Sequence, residues 1–87
     1  MKEIIMYTKA YCPYCDRAKQ LLARKPVTVK EIRIDLDQAA FAELMNKSTM
    51  RTVPQIFLGD RLLGGFDDVA ALDASGALDK LLSDDTN

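Results

Sequence analysis

Two cysteines, Cys12 and Cys15, are the only thiols of this 87-residue chain, and it has no histidine. They stand in the run Tyr11-Cys12-Pro13-Tyr14-Cys15. Such a pair can clip a metal, staple a fold or catalyse thiol–disulfide exchange. A tetrahedral zinc site wants four ligands, and two cysteines without histidine supply half of them. Only a carboxylate-completed or shared site would remain, so no metal is expected. The inert structural reading needs both sulfurs buried, and the proline between them argues against that for Cys12.

Pro13 suits the first position of a helix, where its missing N–H costs nothing. Cys12 is then the N-cap, its sulfur facing the unpaired amides of the first turn and the positive end of the helix dipole. Both favour thiolate over thiol and can lower a cysteine pKa by about one to several units from ~8.5. Lys9 adds a positive charge on the approach and Arg17 another a turn further along, while Asp16 works against them. A moderate depression is expected. Cys15 falls on the same helical face one turn deeper, and a Cα separation of about 5–6 Å suits a disulfide. Cys12 reads as the attacking thiolate and Cys15 as the resolving thiol.

The elements that must position this pair follow from the hydrophobic pattern. Residues 3–8 (EIIMYT) are a near-continuous apolar run, as in a strand buried on both faces. From Pro13, Cys15, Ala18, Leu21 and Leu22 recur at helical spacing until Pro26 forces a stop. Residues 28–34 (TVKEIRI) read as a second strand whose apolar phase shifts between Val29 and Ile32, leaving its register open. Asp37 is a candidate N-cap for a helix with Phe41, Leu44 and Met45 on its inner face. Gln55-Ile56-Phe57-Leu58, Gly59-Asp60 and Arg61-Leu62-Leu63 make a β-hairpin. A further helix is expected from about Asp67 through Leu72, then a short turn carrying Leu78, Leu81 and Leu82, and a frayed end over residues 83–87. The order β-α-β-α-β-β-α implies a right-handed parallel crossover plus an antiparallel pair, hence a single α/β domain over residues 1–87 with a mixed four-stranded sheet flanked by helices.

Composition agrees with one such domain. The chain is 48% hydrophobic and 29% charged, too apolar to stay disordered. Its apolar runs are too short to cross a bilayer. Met1-Lys2-Glu3 leads within a few residues into the first strand and does not read as a signal peptide. A cytoplasmic location is therefore expected, where paired cysteines are catalytic or metal-binding more often than permanent disulfides. Net charge is −1, but residues 1–65 carry 11 Lys and Arg against 7 Asp and Glu, and residues 66–87 carry 1 against 6. That asymmetry could orient a zwitterionic ligand, or simply be a solvated acidic surface. No basic stripe with interleaved aromatics points to nucleic acid.

Two further constellations accompany the cysteines. Thr52-Val53-Pro54 leads into the hairpin; a proline entering a strand, tolerated when its peptide bond is cis, leaves backbone that an extended peptide could pair with. Gly64-Gly65-Phe66-Asp67-Asp68 combines close backbone approach, helix-start amides suited to a carboxylate, and acidic side chains suited to an ammonium. Plain helix capping by Asp67 or Asp68 is the simpler account of that last stretch.

Taken together, Cys12-Pro13-Tyr14-Cys15 with Arg17-Ala18-Lys19, Thr52-Val53-Pro54-Gln55-Ile56-Phe57 and Gly64-Gly65-Phe66-Asp67-Asp68 resemble, in order and spacing, the dithiol glutaredoxins of the thioredoxin fold, in particular the small bacterial ones. The resemblance runs over residues 3–82. It implies glutathione as co-substrate and a glutathione-dependent oxidoreductase acting on glutathionylated or disulfide-bonded proteins, with a ribonucleotide reductase among the candidates; a monomer is the default expectation. Cys12 would form the mixed disulfide. The backbone of Val53, flanked by Thr52 and a cis Pro54, would pair with the glutathione cysteine. Lys9 and Arg51 would face its glycine carboxylate, Tyr14 would line the groove, and Gly65, Phe66, Asp67 and Asp68 would hold the γ-glutamyl end. Three positions depart from the common pattern: Phe66 where many relatives carry cysteine, Thr49-Met50 before Arg51, and Asp16 where a base is frequent. Two rival readings keep the fold: a redoxin reduced by thioredoxin reductase, and an iron–sulfur scaffold in which Cys12 and glutathione bridge a dimer.

Overall fold

Strand β1 (Glu3–Thr8) sits between two hydrophobic layers, as its unbroken apolar run requires. In the computed structural model, which describes residues 3–83, Ile4 and Met6 point to one face of the sheet and Ile5 and Tyr7 to the other. The chain continues through α1 (Pro13–Ala23), β2 (Thr28–Arg33), α2 (Gln38–Lys47), β3 (Gln55–Leu58), β4 (Arg61–Gly64), α3 (Phe66–Ala74) and α4 (Ala77–Ser83). The sheet order is β2-β1-β3-β4, with β1 and β2 parallel and the other neighbours antiparallel. This is the thioredoxin-like arrangement that the resemblance implies. Ser83 closes α4; the rest of the expected frayed end, residues 84–87, lies outside the described residues.

The larger core joins Ile4, Met6, Ile56 and Leu58 of the sheet to Ala18, Leu21 and Leu22 of α1, Val69 of α3, and Leu78 and Leu82 of α4. Across the sheet, Tyr7 and Phe57 pack edge to face with ring centroids 5.7 Å apart against Leu44 of α2. These two faces explain the phase shift in β2. Val29 serves the α1 side, while Ile32 and Ile34 serve the α2 side, so side chains alternate regularly along the strand and only the apolar phase passes from one face to the other. The strand pairs in simple register from Glu3 with Thr28 to Thr8 with Arg33, and Ile34 adds one more backbone bond to Thr8 at 2.9 Å.

Helix α2 corrects one expectation. Asp37 caps it, accepting the Ala40 N–H at 3.0 Å, but Leu44 is its only fully buried residue among those described and Phe41 is 46% exposed. Leu44 and Met45 join the Tyr7–Phe57 cluster, whereas Phe41 turns to the pocket that Lys9 and Arg51 line. The start of α3 is a second correction. Gly65, not Asp67 or Asp68, is the N-cap, because Asp68 reaches back and accepts the Gly65 N–H at 3.0 Å. Gly64, at φ +121°, makes that return possible: a Cβ there would collide with the Asp68 carboxyl group.

One buried side chain shapes the loop from Ser48 to Pro54. Gln55 is fully buried at the start of β3. Its Nε2 donates to the carbonyls of Met50 at 3.2 Å and Thr52 at 3.0 Å, and its Oε1 accepts from the Ser48 hydroxyl at 2.6 Å. Ser48 Oγ in turn accepts the Met50 N–H at 3.1 Å. Gln55→Ala would strip several buried groups of their partners at once. It is expected to lower unfolding free energy by about 2–3 kcal/mol, read from urea denaturation; a loss below about 0.5 kcal/mol would show that this frame is dispensable.

Candidate functional site

Helix α1 begins where the sequence places it, with Pro13 in its first turn and Cys12 as N-cap. The Cys15 N–H donates to Cys12 Sγ at 3.1 Å, so the sulfur occupies the position that a serine or aspartate oxygen takes in an ordinary cap. Cys12 and Cys15 form a disulfide with their Cα atoms 5.1 Å apart. Cys15 is 1% exposed, packed behind the first turn, whereas Cys12 is only partly covered. Of the two sulfurs, Cys12 is the one a substrate can reach.

The Gln55-framed loop brings the second constellation against the first. The Val53–Pro54 peptide bond is cis, and the Val53 carbonyl oxygen lies 3.8 Å from Cys12 Sγ. Val53 also separates two lobes of a groove. One, of about 370 Å³, is lined by Tyr14, Met50, Thr52, Val53, Pro54, Gly65, Phe66, Asp67 and Asp68. The other, of about 320 Å³, is lined by Lys9, Ile34, Asp35, Phe41, Arg51 and Val53. Every residue singled out for ligand contact therefore lines one lobe or the other, and Cys12 stands beside Val53, which both lobes share. The charge asymmetry of the sequence becomes spatial: Lys9 and Arg51 on one side, Asp67 and Asp68 on the other.

Details differ from the expected picture. Arg17 lies over the Tyr14 ring at 5.3 Å, and that ring is 6.1 Å from Phe66. Arg51 is tied to the backbone, its Nη1 donating to the carbonyls of Ser48 at 2.9 Å and Met50 at 3.1 Å. The Asp68 carboxylate is already engaged by Gly65, so Asp67 is the freer acid of the pair. The first amides of α3, at Phe66, Asp67 and Asp68, precede the helix's own hydrogen-bond ladder, which opens with Val69 donating to Gly65 at 3.1 Å. Among the described residues, no group of three or more His, Cys, Asp or Glu side chains could hold a metal ion. No helix among them is long and apolar enough to cross a membrane.

Sequence reasoning missed four residues here. Asp35 binds Arg33 through both carboxylate oxygens, at 2.7 and 2.6 Å, and accepts the Ala10 N–H at 3.2 Å. The Arg33 guanidinium, helped by that amide, holds its carboxyl well below the ordinary 3.8, at about 2. Parallel strands end at the same edge of a sheet, so the residues just after β2 had to arrive beside the loop after β1; that signal was available. Tyr11 is fully exposed at φ +56°, a strained backbone for an aromatic residue, directly before Cys12. Its residue type gave no hint of this. Met50 and Phe41 entered the groove walls only through tertiary packing.

Comparison with known proteins agrees with this geometry. The glutaredoxin family model matches residues 4–63. A glutaredoxin of Pseudomonas aeruginosa is 51% identical over 83 residues, covering 95% of this chain and 99% of that protein. Glutaredoxin 3 of Escherichia coli K12 is 49% identical over 82 residues, covering 94% and 99%. A crystal structure of a buckwheat glutaredoxin–glutathione complex superposes with a TM-score of 0.83 at 30% identity, covering 94% of this chain and 77% of that one. The chain belongs to the glutaredoxin family, and with that membership goes thiol–disulfide oxidoreductase activity.

Proposed function

We propose that this protein exchanges disulfides with glutathione, using Cys12 as nucleophile and Cys15 as resolving thiol. The observation that carries the reading is the contrast between the two sulfurs. Cys12 is reachable and capped by an amide, and Cys15 is buried behind it. In the reduced protein the same Cys15 N–H can donate to a Cys12 thiolate, and the α1 dipole favours the anion. With a glutathionylated protein, the thiolate attacks the glutathione sulfur. A bond from Cys12 to glutathione forms, and the protein thiolate leaves and takes a proton. A second glutathione thiolate then attacks that mixed disulfide, giving glutathione disulfide and regenerating Cys12. With a protein disulfide, Cys12 forms a mixed disulfide with the substrate. Cys15 then loses its proton, attacks Cys12 Sγ and expels the substrate thiol, leaving the Cys12–Cys15 disulfide for glutathione to reduce.

The two-lobed groove supports glutathione as the co-substrate. A γ-glutamyl end carries one ammonium and one carboxylate, matching Asp67 and the first amides of α3. The glycine carboxylate at the other end matches Lys9 and Arg51, and the central cysteine backbone matches Val53 between Thr52 and Pro54. Tyr14, Gly65 and Phe66 wall the γ-glutamyl lobe, and Asp68 holds its backbone in place. Substrates in this reading are glutathionylated and disulfide-bonded proteins, with a ribonucleotide reductase needing a hydrogen donor as a candidate. The protein would act as a cytoplasmic monomer.

The decisive measurement is the rate of glutathione removal from a glutathionylated peptide by wild type, Cys15→Ser and Cys12→Ser. Cys15→Ser is expected to stay active, and Cys12→Ser to fall to background. Loss of activity in Cys15→Ser, with wild type still reducing protein disulfides, would favour reduction by thioredoxin reductase and sink the glutathione reading. Asp67→Asn is expected to raise the KM for glutathione by roughly three- to fivefold, the scale of one exposed ion pair, with kcat little changed; an unchanged KM would remove Asp67 from the site.

Asp35 makes a pH-dependent prediction about the loop beside Cys12. Its folded-state pKa lies below the ordinary value, so its contribution to stability is complete above about pH 4 and fades as pH falls through about 2. Asp35→Asn is therefore expected to lower the denaturation midpoint at pH 7 modestly, since the ion pair is exposed, with the gap from wild type closing in acid. A gap that persists unchanged at pH 2 would mean that the charge on Asp35 is not what matters.

A further inference from the structure

The exposed side of α1 divides into two stripes with different electrostatics. Along one, Lys19 pairs with Glu31 at 2.9 Å and approaches Asp16 at 4.0 Å, while Glu31 also accepts the Thr8 hydroxyl at 2.6 Å. Along the other, Arg17, Gln20, Leu21 and Arg24 recur at i, i+3, i+4 and i+7. With Phe66 they line a groove of about 380 Å³. Neither Arg17 nor Arg24 has an ion-pair partner among the described residues; the Arg17 guanidinium lies over the Tyr14 ring. Beyond Arg24, Lys25 is occupied by Asp73 at 2.6 Å and Asp79 at 2.9 Å. The two cations of α1 and its C-cap that lack an ion-pair partner among the described residues thus lie together on one seam. Leu21, 6% exposed, forms part of its floor.

The seam is continuous with the redox groove, because Phe66 lines both and Tyr14 bridges Phe66 to Arg17. We infer that the seam beside α1 docks an extended acidic segment of the protein substrate, flanking the cysteine that reacts at Cys12. This rests on the exchange chemistry proposed above and adds to it a preference among protein substrates. Two cations in single file beside an apolar floor suit an extended peptide; a broad polyanion would meet the neutralised Asp16–Lys19–Glu31 stripe on one side and the Lys25 cluster at the end. Helix rise puts Arg17 about 7 Å and Arg24 about 18 Å along the axis from Cys12. At about 3.3 Å per extended residue, the complementary acids fall about two and five residues from the reacting cysteine.

The test compares two glutathionylated peptides, identical except for Glu or Gln at those two positions, with a small glutathione mixed disulfide as a third substrate. Wild type is expected to favour the acidic peptide by roughly three- to tenfold in kcat/KM at low salt, the scale of two exposed charge pairs. Half-molar salt should erase the preference. Arg24→Glu should abolish or invert it while leaving turnover of the small disulfide unchanged. Equal rates on both peptides in wild type, or a preference surviving in Arg24→Glu, would overturn the docking seam. A second arm uses the same peptides with serine for the cysteine and reads amide chemical shifts. Gln20 and Arg24 should respond to the acidic peptide and not to the neutral one, and silence there would also overturn it. If none of the three substrates is turned over, glutathione transfer fails as the chemistry, and the shift arm still decides the seam by itself.

Discussion

A single hydrogen bond, from the Cys15 N–H to Cys12 Sγ, ties the start of α1 to the reacting sulfur. A helix that begins in a partly covered place must satisfy its first amides, and here a sulfur accepts one of them. The cap and the nucleophile are the same atom. Whatever fixes α1 therefore aims the chemistry. The helix is fixed by Ala18, Leu21 and Leu22, fully engaged with β1 and β3, so the geometry of Cys12 is set by the main hydrophobic core.

The opposite wall of the groove depends on a different device. The loop bearing Arg51, Thr52, Val53 and Pro54 has no regular structure of its own to hold it. Gln55 supplies an internal template, bonding two of its carbonyls and the Ser48 hydroxyl from a fully buried position. Buried polar groups are costly unless all are paired, and here they are. On the third side, Asp68 folds back onto Gly65 and sets the start of α3. Three local hydrogen-bonding arrangements, each buttressed by the core, thus converge on one groove beside one sulfur. The family's thiol–disulfide chemistry needs that convergence because exchange proceeds in line through a mixed disulfide, with both partners held beside the attacking atom.

Electrostatics is organised around the same groove. Several charges away from it are neutralised locally, as in Lys25 with Asp73 and Asp79, or Arg33 with Asp35. The groove keeps its own pattern, with cations at Lys9 and Arg51 facing acids at Asp67 and Asp68 across Val53. Arg17 and Arg24 extend a cationic line away from it along α1. Surface pairs of this kind contribute little to stability. Their arrangement bears on which ligands approach and how they lie.

Much of this was legible in the sequence, for identifiable reasons. Pro13 marked the start of α1 and so put Cys12 at its cap; the spacing of Cys15, Ala18, Leu21 and Leu22 marked the buried face, and those four are the buried residues of the helix. Periodicity and turn residues likewise carried the element order, the mixed sheet and the hairpin, because local backbone preference and burial act together there. The sequence could not decide features that depend on contacts between distant segments. The start of α3 moved to Phe66 because Asp68 could reach the Gly65 amide only in the turned backbone of Gly64. Phe41, patterned for burial, became a groove wall, half exposed beside Lys9 and Arg51. Asp35 and Met50 joined the site, and Lys9 and Arg51 came to share a lobe, through parallel strand ends and loop packing. Residue type and spacing determined which groups could do chemistry; tertiary structure alone decided which of them meet, since proximity across a sheet edge leaves no periodic trace along the chain.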